Sequence, residues 1–155
     1  MSGDCYSEGD WFAIPLRRGG FAAGVIARAM PRKGGVLLGY FFGPKRDKVP
    51  ALDELRGLSA SGAVLVKRFG HLGIVHGSWP LVGHIDRWNR SAWPNPAFGR
   101  FEELTGRAFK VIYDDTDPNR LLREEQIDPS ELTALPKDSL SGAGAIEKIL
   151  TQLLW

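Results

Sequence analysis

The sequence predicts a mostly-β (α+β) fold: a strongly bent antiparallel sheet or partly open barrel with a C-terminal amphipathic helix packed on it. Three observations predict this. Short apolar runs recur along the chain, separated by turns drawn from its 19 glycines and 10 prolines, the pattern of strands and tight turns. Residues 36–42 are almost wholly apolar, as befits a central strand covered on both faces. Only residues 143–154 combine helical length with a clear helical stripe.

The elements follow in order. Residues 11–16 form a first strand in which Pro15 requires an edge or a strand end. Arg17, Arg18, Gly19 and Gly20 make a hairpin loop. The second strand spans 21–29; Gly24 and Arg28 lie on its even face, so one face is expected to be buried. A turn at 31–35 leads to the central strand 36–42, and a charged loop covers 43–50. A short helix at 52–58 points Leu52, Leu55 and Leu58 inward. Strands are expected at 63–69, 73–76 and 81–85, and an irregular stretch at 86–96. A hairpin pairs 98–104 with 108–113, and a last strand covers 121–127. Pro129 opens a short helical turn. The C-terminal helix places Ile146, Ile149, Leu150, Leu153 and Leu154 on one stripe, with Ser139 or Ser141 as its N-cap.

The length suits one domain, 1–155, with residues 1–8 expected to be flexible. A chain of this size buries a core without disulfides or metals. Its single cysteine, Cys5, builds no disulfide framework. The polar, acidic N-terminus lacks the basic and apolar regions of a secretory signal. No run reaches the roughly 20 apolar residues of a membrane span. A cytoplasmic protein with no membrane partner is the expectation. Charge is unevenly spread. Residues 1–50 carry 8 Lys+Arg against 4 Asp+Glu, 51–113 carry 8 against 5, and 114–155 carry 4 against 9. The acidic segment is read as folding against the basic body, since no dense basic run exists.

Chemistry is sparse in the motifs. His71, His76 and His84 lack the i, i+4 spacing of a helical metal site. Asp114, Asp115 and Asp117 lack the glycine and distal glutamate of a calcium loop and read as turn formers. There is no nucleophile elbow, dinucleotide fingerprint or phosphate loop. The pairs Glu102-Glu103 and Glu124-Glu125 point to opposite faces of their strands and make no acid/base dyad. No catalytic residue, metal site or cofactor is therefore assigned, and the reading leans away from an enzyme. Arg87, Arg90 and Arg100 interleave with Trp and Phe over 79–101, as on a stacking platform. Without a recognition motif this argues against a nucleic-acid partner.

The stretch 79–93 holds three of the five tryptophans and is too aromatic for a plain connector. Trp79 and Trp93, each beside a proline, are read as sealing the core. Trp88, with Asp86, Arg87 and Arg90 around it, is the candidate exposed anchor of a partner-binding site, because Trp and Arg dominate binding hot spots.

The runs Gly9-Asp10-Trp11-Phe12-Ala13-Ile14-Pro15-Leu16, Gly39-Tyr40-Phe41-Phe42-Gly43-Pro44, Gly77-Ser78-Trp79-Pro80 and Trp93-Pro94 resemble the immunity protein 26 family of bacterial polymorphic-toxin systems. The family's annotation is shared with a small phosphotriesterase. The resemblance spans most of the chain, from Glu8 to about Leu154. It implies a cytoplasmic protein that binds and neutralises a cognate toxin, and its motifs carry no catalytic residues onto this chain. Two alternatives stand beside it. A phosphotriesterase-like hydrolase predicts that His71, His76 or His84 meets carboxylates in a cleft. An interaction module with another partner predicts neither toxin nor cleft chemistry. Exposed strand edges add a homodimer to the expected partners.

Overall fold

The computed structural model describes residues 6–31 and 34–155. Cys5, the greater part of the flexible segment expected at 1–8, and part of the turn expected at 31–35 lie outside the described residues.

Among the described residues, nine strands form two sheets. They are β1 (Asp10–Pro15), β2 (Phe21–Ala29), β3 (Val36–Arg46), β4 (Leu65–Gly70), β5 (Leu81–His84), β6 (Phe98–Glu102), β7 (Arg107–Asp114), β8 (Asp117–Ile127) and β9 (Leu140–Ser141). The same described residues form three α-helices: α1 (Leu52–Leu55), α2 (Leu72–Val75) and α3 (Ala143–Leu154). The larger sheet has the order β5-β1-β2-β3-β4-β9, and the smaller β6-β7-β8. β9 runs parallel to β4, so the larger sheet is mixed where an antiparallel one was expected. The chain reaches β9 from the far side of the smaller sheet, without the tight hairpin that antiparallel neighbours share.

Three layers result, because the larger sheet is covered on both faces. Alternation along β2 divides its residues between two cores. Ala22 and Ile26 join Phe12, Ile14, Leu37, Phe41, Phe69 and Trp79 beneath Ile146 and Leu150 of α3. Ala23, Val25 and Ala27 join Trp11, Leu38, Tyr40, Phe42 and Trp93 against Phe98, Val111 and Tyr113 of the smaller sheet. This corrects the expectation that β2 buries one face: residues 22–28, Arg28 included, are all buried. Gly24 is required here, since a Cβ would sit 2.6 Å from the Phe12 ring.

Other expectations shift for local reasons. The strand expected at 73–76 is helix α2. The amides of Ile74 and Val75 bond the carbonyl of His71, and His76 bonds that of Leu72. Gly73 lies under the Trp79 indole, where a Cβ would come within 2.7 Å, and this packing overrides the strand preference of Ile74 and Val75. The helix expected over 52–58 shortens to α1 with a following turn, yet Leu55 is buried and Leu52 and Leu58 pack against the same core. Helix α3 matches its expected bounds, but Gly142 is its N-cap and no side chain caps it. Leu153 on its stripe is exposed.

A polar cluster bolts the sheets together. The Arg68 guanidinium lies 3.8 Å over the Tyr113 ring and donates to the Pro118 carbonyl at 3.2 Å. Tyr113 donates its hydroxyl to Asp138 at 2.7 Å. Burial, and then that bond, push the Tyr113 hydroxyl up to about 12. The folded chain thus holds this proton after an unfolded chain would lose it near 10. Stability is full below that value and falls as pH rises from it toward the folded one, by up to about 1.4 kcal/mol per pH unit. Urea unfolding at about pH 9 and about pH 11 is expected to show the loss in the native chain and a shallower one in Tyr113→Phe. A residual slope is expected because burial also raises Tyr40. Equal slopes would remove Tyr113 as the cause.

Candidate functional site

The stretch 86–96 crosses the end of the larger sheet and is held there by charge. Arg28 is 3% exposed because it reaches from β2 beneath this stretch. It donates to the Trp93 carbonyl at 2.9 Å, to the Arg90 carbonyl at 3.4 Å and to Asp115 at 2.8 Å. Arg90 donates from Nε to Glu8 at 2.9 Å and from Nη1 to Asp115 at 3.0 Å. Trp88 is partly buried. Its indole N–H donates to Glu8 at 3.2 Å and its ring stacks on Trp93 at 6.3 Å. Glu8 therefore ties Trp88 to Arg90, and Asp115 ties Arg90 to Arg28. Trp79 and Trp93 are buried, as their neighbouring prolines suggested.

Of the four residues singled out in sequence, Trp88 and Arg90 meet through Glu8, while Asp86 and Arg87 are exposed. Arg87 has a left-handed backbone, φ 55°, a conformation costing roughly 1–2 kcal/mol in a residue with a Cβ. Such strain tends to gather at functional positions.

Beside this segment opens a cleft of ≈ 300 Å³, lined by Trp11, Leu52, Leu58, Ile85 and Trp93 with Arg56, His84 and Asp86. Its floor is apolar because Trp11 and Trp93 are core residues turned toward the sheet end. Its rim is charged. His84 Nδ1 lies 2.8 Å from Asp10 Oδ1, and Arg56 pairs with Asp53 at 2.6 Å. An apolar floor with a few directed polar groups suits one large side chain of a bound protein. Among the described residues, the lining includes no Ser, Thr, Tyr or Cys, so none of them brings a hydroxyl or thiol nucleophile to it.

Sequence reasoning missed Arg56, His84 and the α1 leucines as neighbours of Asp86. The leucine spacing was visible, but the docking of α1 beside β5 is a tertiary fact. The other histidines lie elsewhere: His71 Nδ1 is 2.8 Å from the Tyr6 hydroxyl, and His76 ends α2. Among the described residues, no three His, Cys, Asp or Glu side chains group to hold a metal ion. The acidic run is a turn in which Asp114 accepts from the Thr116 amide at 2.8 Å, and that bond, with one from the Thr116 hydroxyl, holds its carboxyl below the usual range. No helix among the described residues is long and apolar enough to cross a membrane.

A family model described as Immunity protein 26 matches residues 7–110. No curated protein and no solved structure matches the chain.

Proposed function

The chain belongs to the immunity protein 26 family, and we propose that it binds and neutralises a cognate bacterial toxin in the cytoplasm. The observation that carries this reading is the extent of the match. Residues 7–110 contain every residue lining the cleft and the whole of 86–96. The contact site is the cleft rim with the exposed turn beside it: Asp86 and Arg87 touch the toxin, and Trp88 and Arg90, anchored through Glu8, hold that turn in place. An apolar pocket ringed by charges matches the anatomy of a hot spot.

The test is a search of the genes beside this chain's own for a toxin, followed by calorimetric titration of that toxin. The wild-type chain is expected to bind it, and the variant Asp86→Ala/Arg87→Gly to bind about 10–100-fold more weakly. The variant is expected to melt no earlier, because glycine removes a left-handed strain of roughly 1–2 kcal/mol against an entropic cost of about 0.5–1 kcal/mol. Unchanged affinity would move the interface elsewhere. No binding by the wild-type chain would end the immunity reading.

One observation favours a second reading. A carboxylate orienting an imidazole, as Asp10 does for His84 at 2.8 Å, is an element of general-base sites, so the hydrolase alternative would act in the same cleft with water as its nucleophile. Hydrolysis of a phosphotriester by the chain, abolished in His84→Gln, is the result that would establish it.

A further inference from the structure

Among the described residues, nothing covers strand β8 from residue 119 on, where it is a long edge. It pairs with β7 on one side only, and residues 119–126 are all exposed. Among the described residues, the other sheet edges are short or closed. β5 has four residues and β9 two. The outer side of β6 is capped by the segment after the 3-10 helix Pro129–Ala134: Gly99 bonds the Pro136 carbonyl, the Asp138 amide bonds back to Gly99, and Lys137 bridges the same strand. An uncovered edge offers its free backbone groups to another strand, and folds usually protect such edges with like charges, prolines or bulges that turn the edge away.

The charges on β8 do something different. Arg120 and Arg123 precede Glu124 and Glu125 along the exposed stretch, so the edge repels itself in parallel and attracts itself antiparallel. Leu121 and Leu122, 49% and 53% exposed, lie at its middle. We propose that β8 is a self-recognition edge, through which two copies of this chain pair antiparallel about a two-fold axis and join their small sheets into one of six strands. Opposed residues in antiparallel strands share a face. Arg123 and Glu125 already share one, 3.1 Å apart. With Glu124 at the axis, Arg123 of each copy faces Glu125 of the other, and Leu121 faces Ile127. The two Glu124 carboxylates at the centre each remain bonded to Arg100 of their own copy. An isologous contact of this kind closes as a dimer. β8 lies outside residues 7–110, so the inference stands apart from the toxin reading.

The test is sedimentation equilibrium of the wild-type chain, Arg123→Glu and Glu125→Arg. Both positions are exposed, and circular dichroism checks that the variants fold. The wild-type chain is expected to dimerise. Each variant sets two like-charge pairs across the axis and is expected to dissociate about tenfold more readily. An equimolar mixture restores opposite charges at both places and is expected to recover the wild-type affinity, as is the double swap R123E/E125R. A monomeric wild-type chain at high concentration would overturn the proposal. So would a dimer indifferent to both variants, or variants that the mixture does not rescue.

Discussion

Trp79→Ala is expected to destabilise the fold by about 3–5 kcal/mol. The indole is wholly buried and lies parallel to the Phe12 ring at 5.7 Å, with Phe69 at 5.9 Å. Its N–H donates to Glu147 of α3 at 2.9 Å, and Arg17 holds the same carboxylate at 3.4 Å. One side chain therefore fills the core between α2 and the larger sheet and fixes the helix laid across it. Trp79→Phe keeps most of the volume and loses the donor, with an expected cost of about 1–2 kcal/mol. Urea unfolding followed by far-ultraviolet circular dichroism measures both. Equal losses would mean that the bond to Glu147, and not the volume, carries the contribution. A loss near zero in Trp79→Ala would mean that α2 collapses into the space.

The burial of Trp79 was legible because a tryptophan beside a proline, next to an apolar strand, has few exposed solutions. Strand β2 and helix α3 were legible to the residue for a related reason: each carries its own period and starts directly after a glycine, Gly20 or Gly142. What was lost is what depends on a second layer. Arg28 reads as a solvent-facing residue in a strand covered on one face. Only the 86–96 segment and Asp115, arriving from far along the chain, turn that position into an interior. Ile74 and Val75 read as a strand, and only the indole over Gly73 makes the helical turn the better packed choice. The parallel pairing of β9 had no signal at all, since two residues carry no period.

The candidate site divides in the same way. Asp86, Arg87, Trp88 and Arg90 stood out because an aromatic and charged segment interrupted by prolines cannot be a core strand. Their division of labour was invisible, because Glu8 and Asp115 lie far off in sequence. The cleft was invisible as well: Leu52 and Leu58 are ordinary helix leucines until α1 is placed against Trp11 and Trp93. His84 carried no motif, and its partner Asp10 lies on a neighbouring strand, where only the register of β1 with β5 brings Asp10 opposite it.

Arg28→Ala is expected to cost about 3–5 kcal/mol and to loosen a segment that the arginine only reaches from below. The guanidinium donates to three main-chain carbonyls, those of Ala27, Trp93 and Arg90, as well as to Asp115. Removing it leaves carbonyls of the 86–96 segment without a donor in a site too buried for bulk water, which is the costly half of a lost hydrogen bond. Asp115 is about half exposed, and Asp115→Asn takes the anion from the guanidinium but leaves its carbonyl acceptors and an amide oxygen in place, so it is expected to cost about 1–2 kcal/mol. The contrast separates two explanations. If the ion pair held the segment, the two variants would match; if the carbonyl bonds hold it, only Arg28→Ala is severe. Arg28→Lys sharpens the comparison, since an ammonium cannot span carbonyl and carboxylate as a planar guanidinium does. In that variant, amide hydrogen exchange over residues 88–96 is expected to quicken while β2 stays protected, the signature of local opening. On the proposed reading, toxin affinity is expected to fall with it, because Arg28, itself buried, acts through the segment it holds. Unchanged exchange in Arg28→Lys would show that Glu8, through Trp88 and Arg90, suffices to pin the segment.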